Sequence, residues 1–356
     1  MKPPSPGRVA ARPRVLVVGA GAIGGVVAGN LARAGHDPTV LTTNPDIARS
    51  LRERGFRLTG KTPGADVPAR AVAGSAAGAV GPFDVVFLAT QPPQVEEATG
   101  DVLPLLAEDA RVVCFQNGLC EERVAKLVGR ERVVGAVVAW GASMREPGVY
   151  ERTSEGGFTL GRLEGQNDAP VAEIAEMLRA VGPVKITENL LGARWSKLAI
   201  NAAISTLGTI GGDRVGVLMR HGFVRRLVLE IMTETVLVAR ALRVRLEKVA
   251  GTVDLDWLAL TDAERRHGGS SLVAKHAVLL AAGFRYRKLR SSMLAAIERG
   301  RPPAVDFLNG EVVLHGERAR VATPVNRAAQ SFVWQIARRE RSSSLETLRA
   351  LHRETR

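Results

Sequence analysis

The sequence predicts an α/β chain in two parts, a parallel-sheet domain followed by an all-helical domain. Three observations carry this expectation. Between residues 14 and 188, short apolar runs alternate with helical patterns, as parallel strands joined by crossover helices require. Beyond Glu188 the strand signals stop and helical periodicity continues toward the C-terminus. At 356 residues the chain is long enough for two cores of ordinary domain size.

The elements follow from local pattern. Met1–Pro13 is Pro-rich and basic and reads as a disordered tail. Strands are expected at Arg14–Val18, Pro38–Leu41, Asp84–Ala89, Arg111–Phe115 and Val133–Ala139, several being continuous Val/Leu/Ala/Phe runs of the kind buried on both faces. Helices are expected at Ala22–Ala34, Asp46–Arg54, Gln94–Ala107 and Glu121–Val128. Shorter strand signals at Val149–Arg152, Phe158–Leu160 and Val184–Thr187 surround a helix at Ala169–Ala180. The helical domain is placed at 189–340, with a charged, Ser-rich tail over 341–356 that is partly helical or frayed.

Composition narrows the function classes. The formal net charge of +13 invites a nucleic-acid reading, but only 8 of 49 basic residues are lysine and aromatic residues make up 4%. No like-charge run reaches five, so the arginines read as a solvated surface, with no nucleic-acid partner expected. The uncharged stretch Val15–Ala32 imitates a membrane span, but five glycines interrupt it, and a soluble, cytoplasmic protein without a membrane partner is expected. Cys114 and Cys120 offer no disulfide framework, which fits a reducing compartment, and the six histidines show no metal-ligand spacing.

The glycines of that stretch carry the chemistry. Val15–Val18 is followed at once by Gly19-Ala20-Gly21-Ala22-Ile23-Gly24 at the start of a helix, the G-x-G-x-x-G turn of a Rossmann-type dinucleotide-binding domain. Gly19 permits the tight turn, Gly21 leaves the backbone open to a pyrophosphate, and Gly24 lets the helix pack on the sheet. The first helical amides, from Ala22 and Ile23 onward, face the phosphates with the positive end of the helix dipole. A Gly-rich packing turn would not explain the third glycine. The second strand ends in Leu41-Thr42-Thr43-Asn44, with neither the acidic residue that favours NAD nor an arginine that favours NADP. Thr42 and Asn44 can donate hydrogen bonds to a phosphate and no carboxylate repels one, so the reading leans to NADP over NAD.

Two loops follow strand ends on the ligand-binding edge of such a sheet. One contains Thr90-Gln91-Pro92, the other Gln116-Asn117-Gly118, and a helix rather than a hairpin strand follows Asn117. At the start of the helical domain, Trp195-Ser-Lys197-Leu-Ala-Ile-Asn201 leads into 15 uncharged residues, Leu198–Gly212. Lys197 therefore borders a buried helix, with Asn201 one turn on and on the same face. Such an ammonium can protonate the alkoxide left when a hydride reduces a ketone, and can polarise the carbonyl beforehand. A lysine that merely snorkels at a domain edge is the competing reading.

With these motifs in place, the chain resembles the ketopantoate reductase family, over nearly all of residues 14–335. The resemblance rests on Gly19–Gly24, Gln116-Asn-Gly118, Trp195–Asn201, Ser291-Ser-Met293 and Asp306-Phe-Leu-Asn-Gly310, in the family's order. It implies NADPH-dependent reduction of 2-dehydropantoate to pantoate on the way to vitamin B5, in a cleft between the two domains. It assigns Lys197 as general acid, Asn117 to the cofactor and reacting centre, and Asn201 and Ser292 to the substrate.

Four positions depart from the family pattern. Gln91 stands where a lysine is usual, Thr42–Asn44 where an arginine is common, Ser205 where a second substrate asparagine is usual, and Ala304 where a glutamate is usual. Each loses a polar or charged contact worth about 1 kcal/mol or more. Gln91 is thus taken with the cofactor contacts and Ser205 with the substrate contacts. The rival expectations are a reductase of another carbonyl or imine, and a non-catalytic dinucleotide sensor, against which Lys197 and Asn201 speak. A homodimer is compatible with the sequence. Ser291-Ser292 could instead cap a helix, and capping is the main role expected of Asp306. The segment 247–290, longer than usual in the family, is read as an extra surface helical hairpin rather than a substrate lid.

Overall fold

The computed structural model describes residues 12–61, 64–164, 166–248 and 254–356, so the tail expected over 1–13 falls largely outside the described residues. The chain divides into two compact units. The first takes the chain up to Thr90, then Gln94–Phe115 and Glu121–Glu188; the second takes Gln91–Pro93, Gln116–Cys120 and Asn189–Arg356.

The first unit opens with β1 (Val15–Val18), α1 (Ala22–Arg33), β2 (Thr39–Leu41) and α2 (Pro45–Arg54). Next come β3 (Phe56–Gly60), β4 (Ala65–Val67), β5 (Ala71–Ala73) and β6 (Phe83–Leu88), then α3 (Val95–Val102) and β7 (Leu106–Cys114). It closes with α4 (Glu121–Val128), β8 (Val133–Val138), β9 (Ala142–Glu146), β10 (Val149–Arg152), β11 (Phe158–Arg162), α5 (Ala169–Arg179) and β12 (Val184–Ile186). An eight-stranded sheet runs in the order β12-β11-β8-β7-β6-β1-β2-β5. Its pairings are parallel except β11 against β8. The chain starts in the middle at β1, moves outward to β2 and β5, and returns on the other side at β6. The carboxyl ends of β1 and β6 therefore form the switch point where such sheets bind ligands.

A second sheet, β4-β3-β10-β9, was not foreseen. It explains two glycines beyond the phosphate motif. A Cβ on Gly29 would lie 2.9 Å from Leu58 and 3.0 Å from Phe56, and one on Gly25 only 2.0 Å from the ring of Tyr150. Helix α1 is thus bare on the face that meets this sheet, at i and i+4 spacing. The helix expected over Gln94–Ala107 stops at Val102, because Pro104 imposes a 3-10 turn at Leu103–Leu105 before β7 begins.

The described residues of the second unit are helical: α6 (Leu190–Gly211), α7 (Val215–Leu218), α8 (Gly222–Ala241), α9 (Leu255–Leu258), α10 (Asp262–His267), α11 (Ser270–Arg285), α12 (Ser292–Glu298), α13 (Asn309–Ala319), α14 (Pro324–Ala337) and α15 (Leu345–Glu354). The segment expected as a tail from 341 instead carries α15, whose Leu348 and Leu351 are fully buried in the core of this unit. Its charged residues lie on the opposite face, which made a docked amphipathic helix look like a solvated terminus. Segment 247–290 is not a two-helix hairpin, since α9, α10 and α11 all fall within it. Lys275 of α11 is fastened there to Glu264 of α10 at 2.6 Å and to the Ala259 carbonyl at 2.8 Å.

A buried polar chain joins four helices of this unit. The Glu234 carboxylate accepts from the Val325 and Asn326 amides, each at 2.9 Å, and from Asn326 Nδ2 at 2.7 Å. Asn326 Oδ1 accepts from Asn309 Nδ2 at 2.9 Å, and Asn309 also holds the Ala202 carbonyl and Thr206 hydroxyl of α6. Burial pushes the Glu234 carboxyl above its ordinary range, although these three donors pull the other way. No helix among the described residues is long and apolar enough to cross a membrane.

Candidate functional site

In the first unit, Gly19 follows β1 with φ +94 and donates its amide to Leu41 at 2.8 Å. A Cβ there would stand 3.0–3.1 Å from the Ala89–Thr90 backbone, so the left-handed turn and the tight passage both call for glycine. A Cβ on Gly24 would meet the Gly19 carbonyl oxygen at 1.9 Å, and the turn can close only without it. Gly21 is different. It is the N-cap of α1, makes no side-chain cap, and a Cβ on it would meet nothing within 4 Å. No packing contact calls for a bare α-carbon at Gly21, and the open space above it, with the amides of Ala22 and Ile23, fits a pyrophosphate. Beneath the loop, the buried Tyr150 hydroxyl donates to the Ala20 carbonyl at 3.1 Å, and burial pushes that hydroxyl's pKa up. Sequence reasoning missed Tyr150; the glycine at 25 was its only trace.

At the end of β2, Thr42 is buried and its amide donates to Ala73 at 3.0 Å, whereas Thr43 is exposed. Asn44 caps α2, its Oδ1 accepting from the Asp46 and Ile47 amides at 3.0 and 3.1 Å. That cap leaves the Asn44 amide group as the donor toward any ligand.

The second unit brings together motifs far apart in the chain. Arg194 of α6 is buried, and its Nη1 donates to the Gln116 carbonyl at 2.8 Å. The helix that bears Lys197 therefore holds the loop that bears Asn117. Asn117 itself is exposed, next to the buried Gln116 and Gly118. Gly118, at φ +89, would drive a Cβ to 2.3 Å from the Phe307 carbonyl oxygen, so the same loop is pressed against the Asp306–Gly310 motif. Nothing in the sequence signalled that Arg194 is the fastener, because a charge inside a helical run reads as surface.

Helix α6 is buried almost all round. Its open stripe is Lys197, Ile200, Asn201, Ile204 and Ser205, each half-buried between fully buried neighbours. Lys197, Asn201 and Ser205 thus lie at i, i+4 and i+8, as the spacing requires. Ser291, not Ser292, caps α12, accepting from the Leu294 amide at 3.3 Å. The Ser291 hydroxyl also donates to the Ser205 carbonyl at 2.8 Å and lies 2.8 Å from the Thr209 hydroxyl. The start of α12 is thereby pinned to α6 beside Ser205, with Ser292 exposed at its first turn.

The capping role expected of Asp306 is corrected. Its Oδ1 accepts from Gln330 Nε2 at 2.7 Å and Trp334 Nε1 at 2.8 Å, which clamps this segment to α14. Leu308, not Asp306, precedes α13, and no side chain caps that helix. Gln91 is exposed, at the entry to a 3-10 turn. Among the described residues, no group of three or more His, Cys, Asp or Glu could hold a metal ion.

Comparison with known proteins agrees with the division of the chain into two parts. A family model described as ketopantoate reductase PanE/ApbA matches residues 15–165, and one described as its C-terminal domain matches residues 189–337. A 2-dehydropantoate 2-reductase of Pyrococcus horikoshii is 24% identical over 331 residues, covering 92% of this chain and 98% of the relative. The crystal structure of a PanE/ApbA family ketopantoate reductase from Ralstonia eutropha JMP134 superposes with TM-score 0.77 at 26% identity, covering 92% of this chain and 99% of that one. A ternary structure of D-mandelate dehydrogenase with NADH and anilino(oxo)acetate superposes with TM-score 0.76 at 18% identity, covering 95% and 99%. At that identity the likeness is one of fold.

Proposed function

Because the chain belongs to the ketopantoate reductase family and is an oxidoreductase dependent on a nicotinamide dinucleotide, we propose that it reduces the ketone of a 2-oxo acid with NADPH, 2-dehydropantoate being the first substrate to test. One observation carries the reading. Arg194 ties the Asn117 loop to the very helix whose open stripe is Lys197, Asn201 and Ser205.

When bound, NADPH supplies the hydride. The chain's residues do the rest. The glycine turn and the first amides of α1 hold the pyrophosphate, with Gly19, Gly21 and Gly24 kept bare for the reasons given above. Thr42, Asn44 and Gln91 are the uncharged donors nearest to the roles that the family gives to cations. Lys197 Nζ donates a proton to the ketone oxygen as it becomes an alkoxide, and its charge stabilises that oxygen beforehand. Asn201 and Ser292 donate hydrogen bonds to the substrate, Ser205 adds a short hydroxyl, and Asn117 orients the reacting groups.

A second substrate reading is favoured by Ser205 and Ala304. With a hydroxyl for an amide and a methyl for a carboxylate, and with Ile200 and Ile204 on the open stripe, the site suits a less polar 2-oxo acid as well. The test is the initial rate of NADPH and NADH oxidation with 2-dehydropantoate and a panel of 2-oxo acids, for wild type and Lys197→Ala. Turnover that falls about 100-fold or more in the variant is expected. Full activity in Lys197→Ala would overturn the mechanism, and cofactor binding without turnover of any 2-oxo acid would overturn the activity.

A further inference from the structure

We propose that the second unit carries an effector site for a small organic anion, on the face of α12 turned away from Ser292. An open cavity of about 410 Å³ lies between α12, the end of α6 and the segment that links α14 to α15. Its apolar lining is Leu294, Ile297 and Ile336, the first and last of them buried. Its cationic lining is Arg339 and Arg341, followed by the hydroxyls of Ser342 and Ser343. At about 100° per residue, Leu294 and Ile297 project roughly 160° and 140° away from Ser292. The cavity is therefore separate from the face of α12 that carries the substrate contact.

The cationic part is built in advance. Arg341 is half-buried, with its guanidinium carbon 4.2 Å from the centre of the Phe332 ring. Its Nε donates to Gln335 Oε1 at 2.8 Å, which leaves both Nη groups as donors. Helix α14 ends on a turn in which Arg339 takes φ +63 and donates its amide to Ile336, while the Glu340 amide reaches Gln335. The backbone that bears Arg339 is thereby fixed. The far end of the segment is tied down too. The Ser344 amide donates to the Ile210 carbonyl at 2.8 Å, Ser344 caps α15, and the Thr347 hydroxyl donates to the Ser342 carbonyl at 2.7 Å. Among the described residues, neither guanidinium pairs with a carboxylate, and neither the Ser342 nor the Ser343 hydroxyl has a hydrogen-bond partner. Two forked cations and two hydroxyls beside an apolar lining suit a carboxylate or a phosphate monoester on a short apolar body. Glu298 also lines the cavity, exposed and 3.8 Å from Arg290, which offsets its charge.

The cavity begins one turn past the contact that sets α12 on α6. The Thr209 and Ser291 hydroxyls lie 2.8 Å apart, and Gly212 and Leu294 each stand three residues further along. A Cβ on Gly212 would lie 3.0 Å from Ser343 Cβ, so the end of α6 already abuts the linking segment. A ligand spanning Leu294 and Arg341 braces α12 against α6, and Ser292 with it. Resting on the reading that Ser292 binds substrate, occupancy lowers KM and leaves kcat unchanged.

The test is calorimetric titration of the full chain, saturated with NADPH, with hexanoate, hexyl phosphate, hexanol and inorganic phosphate. One of the two amphiphilic anions, which identifies the head group, should bind about tenfold more tightly than either hexanol or inorganic phosphate. The double variant Arg339→Gln/Arg341→Gln should weaken that binding about tenfold or more, and Ile297→Asp, changed on the apolar side alone, should do the same. Both variants should oxidise NADPH as wild type does when the anion is absent. The anion should lower KM for the 2-oxo acid about fivefold in wild type and not in the double variant. Failure of both anions to bind, binding that survives in the double variant, or binding that competes with the 2-oxo acid would overturn the site. Binding that leaves KM unchanged would overturn its coupling to Ser292. The titration reads the site even where no 2-oxo acid is turned over, so this proposal and the proposed activity fail separately.

Discussion

Changing Gly21 and Gly24 to alanine, one at a time, separates ligand binding from folding within a single turn. At Gly24 the new methyl carbon would sit 1.9 Å from the Gly19 carbonyl oxygen and 2.9 Å from Ala89 Cβ. A backbone oxygen cannot rotate away, so β1, the turn or α1 must move, at a cost of about 3 kcal/mol. For a unit of this size that lowers the melting temperature by roughly 6–12 °C. At Gly21 the methyl meets nothing within 4 Å, and φ is −70, a value any residue adopts. The loss of a good N-cap and the stiffer unfolded chain offset each other, leaving the protein without cofactor within about 0.5 kcal/mol of wild type. Its methyl would nevertheless occupy the space a pyrophosphate needs. NADPH binding should weaken at least about tenfold, or about 1.4 kcal/mol. Thermal melts without cofactor and calorimetric titration with NADPH measure the two effects separately. If Gly21→Ala bound NADPH as wild type does, or melted early in the manner of Gly24→Ala, the assignment of this turn to the pyrophosphate would be refuted.

Three further outcomes follow from buried charges. Burial alone would raise the Glu264 carboxyl, but Lys275, Thr261 and Ser271 hold it down to about 2. A depressed acid stabilises the fold above its unfolded pKa near 4.5, so roughly 2–3 kcal/mol should be lost between pH 4.5 and 2, and urea titrations in that range should show Lys275→Met without this slope. Glu234 is raised by burial, the opposite case, so its stabilisation erodes as pH rises above 4.5. Glu234→Gln should flatten that dependence in denaturant titrations, whereas Glu234→Ala, which strands the donors of Val325 and Asn326, should cost about 3 kcal/mol. Arg194→Met removes the donor to the Gln116 carbonyl; it should destabilise the chain by about 2 kcal/mol and lower kcat/KM about tenfold or more by freeing Asn117, as steady-state kinetics can measure.

Most of the sheet and the two-part division could be anticipated because their signals are local. A buried parallel strand is a run of Val and Leu, and the tight turn from β1 into α1 is a fixed glycine spacing. The shared, half-buried face of Lys197 and Asn201 on α6 was legible for the same reason, since i and i+4 lie one turn apart. What escaped prediction depends on partners distant in sequence. The second sheet is built from strands as short as three residues; Val149–Arg152 was legible as a strand, but its partners were not, and the face they present to α1 left a trace only in Gly25 and Gly29, which have no local purpose. Arg194, Asn309 and Glu234 lie in the interior, where their partners are 78, 107 and 92 residues away. Asp306 was read as a cap because a carboxylate just before a helical pattern ordinarily is one, yet its acceptor oxygen is taken by Gln330 and Trp334 of another helix. In each case hydrogen-bond satisfaction in the core, rather than local propensity, decided the role.

The central claim is that this chain transfers a hydride to a 2-oxo acid and that Lys197 delivers the proton. Its most direct test uses cofactor deuterated at the transferred position of the nicotinamide, with the product analysed by mass spectrometry. Wild type is predicted to place one deuterium on C2 of the hydroxy acid for each NADPH consumed, and Lys197→Ala to do so about 100-fold more slowly while binding NADPH normally. Cofactor oxidation that leaves no deuterium in the product, or labelled product formed at an undiminished rate by Lys197→Ala, would contradict the account.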